Sequence, residues 1–158
     1  MKLDGDGLAQ LYDAWASRLL GYMIALTRDR HRAEDALQNL FVKLAESQPA
    51  IENPAAYLFR AARNEALRVT RRAPEAPLAG LEVVAPADES ADRGEAERVA
   101  AALDRLPREQ AEVVMLHALQ GLAFREVAEV LGIPLDTAAS RWRYALEKLR
   151  DVLGRVEA

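Results

Sequence analysis

Apolar residues recur along most of this chain at spacings of three and four residues, the period of an amphipathic helix. The first such stripe extends from Leu8 to Leu26, and Asp4 or Asp6 precedes it in a position to cap a helix. A second helix is predicted from about Arg32 to Ser47. Its core face consists of Ala33, Leu37, Leu40, Phe41 and Leu44. Alternation with a period of two residues is scarce, so the pattern predicts an all-α fold.

The opposite face of this second helix carries Asp35, Gln38 and Val42 at helical spacing. A valine within a polar face hints at a contact with another protein, although an ordinary solvated face gives the same pattern.

A third helix is predicted after a loop from Ser47 to Asn53, since Asn53 can cap a helix and Pro54 suits its first position. One side of this helix combines an aromatic residue with arginines: Tyr57, Arg60, Asn64, Leu67 and Arg71, flanked by Arg63 and Arg72. Aromatic and arginine side chains on one face suit unpaired bases and phosphates. A solvated arginine face with a half-buried tyrosine is equally consistent with this pattern.

Residues 73–94 contain three prolines and two glycines and show no helical period, which is typical of a linker. Leu81, Val83 and Val84 interrupt this linker with a short apolar patch that could dock on another surface. The chain is therefore predicted to consist of a domain over residues 1–72, the linker, and a domain over residues 95–158.

The second domain is predicted to contain four helices, of which the last two form a helix-turn-helix. Phe124, Val127, Ala128 and Leu131 form the apolar face of the first of these, and Gly132 is placed to end it. Asp136 or Thr137 can cap the second, whose buried seam is expected to be Ala138, Trp142, Ala145 and Leu149. The other side of that helix presents donors that could reach phosphates and base edges: Ser140, Arg141, Arg143, Tyr144 and Lys148.

The formal net charge is −4, which is the wrong sign overall for a nucleic-acid-binding protein. Residues 1–72 carry 11 basic and 9 acidic side chains, residues 73–94 carry 1 and 5, and residues 95–158 carry 9 and 11. Because the acidity lies mostly in the linker, local basic stripes must account for any DNA binding.

The sequence contains no cysteine, which excludes disulfides and thiolate metal sites. Neither of its two histidines, His31 and His117, has a metal-ligand spacing, and no nucleophile or phosphate-loop motif is present. On this pattern His117 is a surface histidine. We therefore expect no enzymatic activity, no metal and no cofactor. The chain lacks a signal peptide and a membrane-spanning run, so we expect a cytoplasmic protein that does not insert into membranes.

Two parts of the chain resemble bacterial sigma factors. The second conserved region of that family is similar to AEDALQNLFVKLAES followed by NPAAYLFRAARNEALRVTRR. The fourth region is similar to LPREQAEVVMLHALQGLAFREVAEVLGIPLDTAASRWRYALEKLR. The order of the blocks, the linker and the small size resemble the extracytoplasmic-function group, which keeps only these two domains. The resemblance implies a promoter-specificity subunit of RNA polymerase.

The resemblance also implies a role for each matching position. The residues that would dock on the clamp helices of the polymerase's largest subunit are Asp35, Gln38, Phe41 and Val42. Those that would bind and open the minus-ten element are Tyr57, Arg60, Arg63, Asn64, Arg68, Arg71 and Arg72. The loop from Ser47 to Pro54 would hold a flipped-out base. Those that would contact the minus-thirty-five element are His117 (at a phosphate), Thr137, Ala139, Ser140, Arg141, Arg143 and Tyr144. The polymerase flap and an anti-sigma factor are further partners that the resemblance implies.

Three positions depart from the family's pattern and predict weak independent affinity for the minus-thirty-five element. Ala139 and Tyr144 replace basic residues, and Asp136 places a negative charge at the start of the recognition helix. Two other functions therefore stay open. The protein could be a stand-alone helix-turn-helix regulator that binds operator DNA as a dimer. It could also be a sigma-like decoy that sequesters an anti-sigma factor, although the stripe from Arg60 to Arg72 argues against this.

Overall fold

The computed structural model describes residues 4–70 and 93–157, and within these ranges the regular structure is entirely helical. Its helices are α1 (Gly5–Thr27), α2 (Arg30–Ser47), α3 (Pro54–Val69), α4 (Arg93–Asp104), α5 (Arg108–Val114), α6 (Phe124–Leu131) and α7 (Leu135–Glu157). A π-helical turn, Met115–Leu119, continues α5. The predicted all-α fold is confirmed. None of the described helices is long and apolar enough to cross a membrane.

The chain forms two compact units, and α1, α2 and α3 pack against one another in the first. Side-chain caps begin each helix, as the sequence predicts for α1 and α3. An oxygen of Asp4 accepts the N–H of Gly7 at 2.7 Å, and Asn53 accepts the N–H of Ala56 at 3.2 Å. The chain reverses sharply between α1 and α2 because Arg28 adopts a left-handed conformation, with φ of 55°. No glycine marks that turn, so its position was not evident from the sequence.

The core of the first unit lies where the three helices meet. Leu19, Met23, Leu58 and Phe59 are almost fully buried there. The guanidinium of Arg18 lies over the ring of Trp15, 4.4 Å from its centroid, and this partial burial lowers the pKa of Arg18. The side chain nevertheless stays cationic at neutral pH because the pKa of arginine starts far above it.

In the second unit α7 packs against α4, α5 and α6. Ala138 and Ala145 on α7 are fully buried, together with Val113, Leu116 and Val127 from the helices around it. Alanine at these α7 positions keeps the buried side of the helix small, so neighbouring helices can approach it closely. The predicted seam on α7 is therefore confirmed at its two alanines, while Trp142 and Leu149 are half-buried.

Helix α6 ends in a C-cap at Gly132 as predicted, but α7 begins earlier than predicted. Gly132 has φ of 66°, a left-handed conformation that glycine adopts without steric cost. The prediction that Asp136 or Thr137 caps α7 is wrong, because α7 begins at Leu135 and both residues lie in its first turn. The physical reason is that the carbonyl of Pro134 already accepts the N–H groups of Thr137 and Ala138, each at 3.1 Å.

Candidate functional site

The α2 face is defined as Asp35, Gln38, Phe41 and Val42. Its last three residues line a groove of about 700 Å³ between α1 and α2, whereas Asp35 lies on the same helix outside that lining. Asp35 and Gln38 are exposed, and Val42 keeps 49% of its surface accessible. Phe41 is buried and contributes its ring to the wall of the groove. The structure thus brings Glu34 and Gln38 beside an apolar groove, which is a suitable surface for an amphipathic helix of a partner protein.

Tyr12 belongs to the same groove and was not singled out by the sequence, which placed it within the core stripe of the first helix. Its side chain is 50% exposed and meets the ring of Phe41 edge-on, with the centroids 5.0 Å apart. The feature of the sequence that could have revealed the exposure of Tyr12 was the width of the apolar stripe on α1. Neighbouring Leu11 and Tyr12 are both apolar, and only Leu11 is buried against the other helices.

The α3 face, defined as Tyr57, Arg60, Arg63, Asn64 and Arg68, lies on the side of α3 away from the core. Tyr57, Arg60, Asn64 and Arg68 are exposed and Arg63 is half-buried. Arg71 and Arg72, the other two predicted members, lie outside the described residues. An exposed ring flanked by guanidinium groups can stack on bases while the cations meet phosphates.

A buried carboxylate connects α2 to the α3 face. Glu65 is 6% exposed, and its Oε1 forms an ion pair with the ammonium of Lys43 on α2. The same oxygen lies 3.5 Å from Nη1 of Arg68. Glu65 was not predicted from the sequence as part of the site, because its contact with Lys43 forms only when α2 packs against α3.

The α7 face, defined as Thr137, Ala139, Ser140, Arg141, Arg143 and Tyr144, covers the side of α7 opposite its alanine seam. Ala139, Arg143 and Tyr144 are exposed, whereas Thr137, Ser140 and Arg141 are half-buried. The guanidinium of Arg143 lies over the ring of Tyr144 at 5.6 Å, so these two side chains form one cationic and aromatic patch. Asp136 is exposed in the first turn beside them.

His117 is not a simple surface histidine, contrary to the interpretation of its pattern alone. Its ring is half-buried, lies parallel to the ring of Phe124 with the centroids 4.1 Å apart, and meets Trp142 edge-on at 4.6 Å. Nδ1 lies 2.7 Å from the carbonyl oxygen of Leu122. Because the carbonyl can only accept, Nδ1 carries the proton and donates it.

A second apolar groove, of about 460 Å³, lies between α4, α5 and α7 in the second unit. Val99, which is 38% exposed, lines it together with Val114 and Leu149, and Arg98 and Arg105 contribute charge. In the part of the chain that the structure describes, no group of three or more potential ligands could hold a metal ion.

Comparison with known proteins places both units in one family. Residues 11–74 match the family model Sigma-70 region 2, and residues 96–149 match Sigma-70, region 4. The ECF RNA polymerase sigma factor SigL of Mycobacterium tuberculosis is 31% identical over 155 residues, covering 89% of this chain and 85% of that protein. The sigma factor SigK of Mycolicibacterium vanbaalenii is 28% identical over 164 residues, covering 96% of this chain and 84% of that protein.

Solved structures share the fold at lower identity. CnrH in complex with the cytosolic domain of CnrY aligns with a TM-score of 0.71 and 24% identity, covering 97% of this chain and 91% of that chain. The sigma factor RpoE in complex with the anti-sigma factor NepR, from Bartonella quintana, aligns with a TM-score of 0.68 and 22% identity. That alignment covers 94% of this chain and 95% of the other.

The two matched regions define a helical transcription factor of the sigma-70 type. The chain belongs to the extracytoplasmic-function family of RNA polymerase sigma factors, with a role in transcription initiation. Sigma factors are non-catalytic, and they generally bind the core polymerase and promoter DNA.

Proposed function

We propose that this protein binds core RNA polymerase through the α2 face, recognises the minus-ten and minus-thirty-five elements through the α3 and α7 faces, and promotes DNA melting. The observation that carries the proposal is that α2 and α3 belong to one packed unit. The proposed polymerase-binding groove and the aromatic and arginine face are thereby fixed relative to each other. Binding of polymerase would then present the α3 face to promoter DNA in a defined orientation.

Contact with the polymerase is supported by the mixed chemistry of the α2 face. The groove beside it buries Phe41 but leaves Val42 and Tyr12 accessible, which is apolar area that a partner helix can cover. Asp35 is exposed on the same helix and can accept hydrogen bonds from a basic side chain of the partner. The clamp helices of the largest subunit are the proposed occupant.

Melting of the minus-ten element is supported by the exposed ring of Tyr57 and the cations that follow it on α3. A base leaves the duplex at a cost of a few kcal/mol, which stacking on an aromatic ring at about 1–3 kcal/mol per base can offset. The loop from Ser47 to Pro54 precedes α3 directly and is the proposed pocket for the flipped-out base. Arg60 and Arg68 would hold the backbone of the separated strand.

Recognition of the minus-thirty-five element is supported by the position of the α7 face on the second helix of a helix-turn-helix. Such a helix enters the major groove with residues near its N-terminus facing base edges. Arg143 is the exposed cation best suited to a base contact, since arginine can donate to two acceptors of guanine. The groove between α4, α5 and α7 is the proposed docking site for the polymerase flap.

The two units would work as one subunit joined through residues 73–94. The first matched region ends at residue 74 and the second begins at residue 96. The proposed domains are residues 1–72 and 95–158, and the residues between them lie almost entirely outside the described ones. In this function the protein acts in the cytoplasm without a cofactor. Free promoter affinity is expected to be weak, since the net charge of −4 opposes phosphate binding.

The deciding experiment mixes purified protein with core polymerase and a promoter library and scores run-off transcripts. We expect transcripts that depend on the added protein and share two upstream sequence elements. A matched protein with Tyr57→Ala and Asn64→Ala should still bind the core enzyme but open promoters poorly, which permanganate reactivity of unpaired thymines measures. Absence of core binding and of transcripts would overturn the proposal.

The second candidate function is a decoy that binds an anti-sigma factor without initiating transcription. The replacement of basic residues by Ala139 and Tyr144 favours it, and the solved complex of the sigma factor RpoE with the anti-sigma factor NepR, which has a similar fold, supports it. An anti-sigma factor is also a proposed regulator under the main function. A decoy would bind such a partner and yield no transcripts. Operator binding without polymerase would instead indicate a stand-alone regulator.

A further inference from the structure

His117 connects three segments of the second unit that are separate in sequence. The residue lies in the π-helical turn Met115–Leu119, and its Nδ1–H donates to the carbonyl of Leu122 just before α6. One side of its ring covers Phe124, the first residue of α6. Its other close aromatic neighbour is Trp142, in the N-terminal half of α7. A single imidazole therefore contacts both helices of the helix-turn-helix and the turn that precedes them.

The π-helical turn is what places the imidazole there. A π turn contains one more residue than the corresponding α turn, so it rotates the side chains that follow it relative to the rest of the helix. Gln120 closes the turn by donating its N–H to the carbonyl of Met115 at 3.0 Å, and Leu122 donates to Leu116 at 3.0 Å. The carbonyl of Leu122 is then available to accept from His117 at 2.7 Å.

Trp142 connects this cluster to the helix that carries the α7 face. It lies between Arg141 and Arg143 in the sequence and projects from the opposite side of the helix, against Phe124 at 6.1 Å between ring centroids. A rotation of α7 that separated the rings of Phe124 and Trp142 would move Arg143 and Ser140 relative to the groove of the DNA. Base contacts tolerate such a rotation poorly because their hydrogen bonds are directional.

We infer that His117 is a positioning residue for promoter reading, which sets the rotation of α7 through Leu122, Phe124 and Trp142 and does not act as a phosphate contact. The inference rests on the proposed function, because it assigns the α7 face to base recognition. The two features of His117 that would position α7 are the N–H donor at Nδ1 and the ring that stacks on Phe124. Removing the donor should weaken discrimination between promoter sequences more than it weakens the overall affinity for DNA.

Two amide variants separate positioning from phosphate contact in the full-length protein. In His117→Asn the amide nitrogen is two bonds from Cβ, as Nδ1 is, so it can still donate to Leu122. In His117→Gln the amide nitrogen is three bonds from Cβ, as Nε2 is, so it can still reach a phosphate but not replace Nδ1. His117→Phe keeps a stacked ring without any donor and serves as a third variant that retains the buried apolar volume.

The measurement is binding of holoenzyme to a promoter and to its single-base minus-thirty-five variants over a range of salt concentrations. We expect His117→Gln and His117→Phe to reduce discrimination between these promoters about fivefold or more, with His117→Asn restoring most of it. The dependence of binding on salt should be unchanged in all three. A uniform loss on every promoter, with a salt slope reduced by about one and rescue by Gln instead of Asn, would overturn the inference in favour of a phosphate contact.

A readout on the free protein keeps this test separate from the proposed function. In a Trp15→Phe background, the long-wavelength end of the near-ultraviolet circular dichroism spectrum, where tyrosine does not absorb, reports the surroundings of Trp142, since the chain has two tryptophans. We expect the signal to change in His117→Gln and to persist in His117→Asn, with helix content equal in both. An unchanged Trp142 signal in both His117→Gln and His117→Phe would overturn positioning even if the protein proved not to read promoters.

Discussion

At the scale of single residues, the α7 face depends on few charges, and Arg143 is its most exposed cation. If this guanidinium contacts a base, Arg143→Ala should cost about 1–3 kcal/mol at one position of the minus-thirty-five element and little elsewhere. Holoenzyme binding to single-base promoter variants measures the loss position by position. Arg150→Ala, which removes the same charge from another exposed site on α7, is the matched control and should show no such position dependence. An equal loss for Arg143→Ala on all variants would place it at a phosphate.

Asp136 should affect stability and DNA binding in opposite directions. Its carboxylate lies in the first turn of α7, where a negative charge stabilises the helix by about 0.3–1 kcal/mol. The same charge repels phosphates near the helix N-terminus. Asp136→Asn is therefore expected to lower the free energy of unfolding by that amount and to tighten promoter binding, with the gain shrinking at high salt.

The pair of effects at Asp136 is checked by urea denaturation and by promoter binding at two salt concentrations. Asp151→Asn is the control, because this exposed carboxylate lies on the same helix but far from its N-terminus. It should not tighten promoter binding to the same extent. A gain in affinity that persists undiminished at high salt would contradict an electrostatic origin.

At the scale of helices, the ion pair of Lys43 and Glu65 joins the proposed polymerase-binding helix to the proposed melting helix. The side chain of Lys43 is 53% exposed, whereas that of Glu65 is only 8% exposed. Removing the lysine leaves a buried carboxylate whose other cation, Arg68, is 3.5 Å away. Lys43→Met should therefore destabilise the first unit by about 1–3 kcal/mol.

The double variant Lys43→Met with Glu65→Met should recover much of that loss, because neither charge then remains unpaired. Urea denaturation of the single and double variants, followed by the fluorescence of Trp15 in a Trp142→Phe background, measures the coupling. Strictly additive losses would show that the two side chains contribute independently. A measurable coupling would mean that α2 and α3 are held in register by this contact as well as by their apolar core.

Helix ends illustrate which elements were predictable. Asp4 and Asn53 cap α1 and α3 as expected, because capping depends on residues within one turn of the helix end. Gly132 likewise ends α6 where it was predicted. The left-handed Arg28 and the early start of α7 at Leu135 were not predicted. In both cases the chain follows a path for which its local sequence gives no special signal.

At the scale of the whole molecule, the proposed function assigns binding of the polymerase and recognition of promoter DNA to different surfaces of the protein. Asp35→Ala should weaken binding to core enzyme severalfold and reduce transcription from every promoter by a similar factor, without altering promoter preference. Asp13→Ala, which removes an exposed carboxylate from α1 in the same unit, is the matched control and should leave core binding unchanged. Binding to immobilised core enzyme and run-off transcription from several promoters are the two measurements.

A change in promoter preference in Asp35→Ala would contradict this separation. So would normal core binding in a correctly folded variant. The pattern contrasts with that expected for Arg143→Ala, which should change preference and leave core binding intact. Together the two variants test whether attachment and reading occupy different parts of the protein.

The α2, α3 and α7 faces of the candidate site differed in how much of each could be predicted from the sequence. Exposed positions of the α3 and α7 faces followed from helical periodicity, since a residue opposite an apolar stripe faces solvent. Tyr12 and Glu65 were not found, because each acquires its role from a neighbouring helix. Tyr12 meets Phe41 across the α1–α2 groove, and Glu65 meets Lys43 across the α2–α3 contact.

The sequence by itself determined the helices, most of their ends, and the resemblance to sigma factors, because all three depend on residues close together in the chain. Only the tertiary structure decided what His117 contacts. Its pattern indicated a surface histidine, yet the π-helical turn and the approach of α7 place it between Phe124, Trp142 and the carbonyl of Leu122. Contacts of this kind depend on how helices rotate against one another. That rotation is fixed by packing in three dimensions and leaves no periodic signal in the sequence.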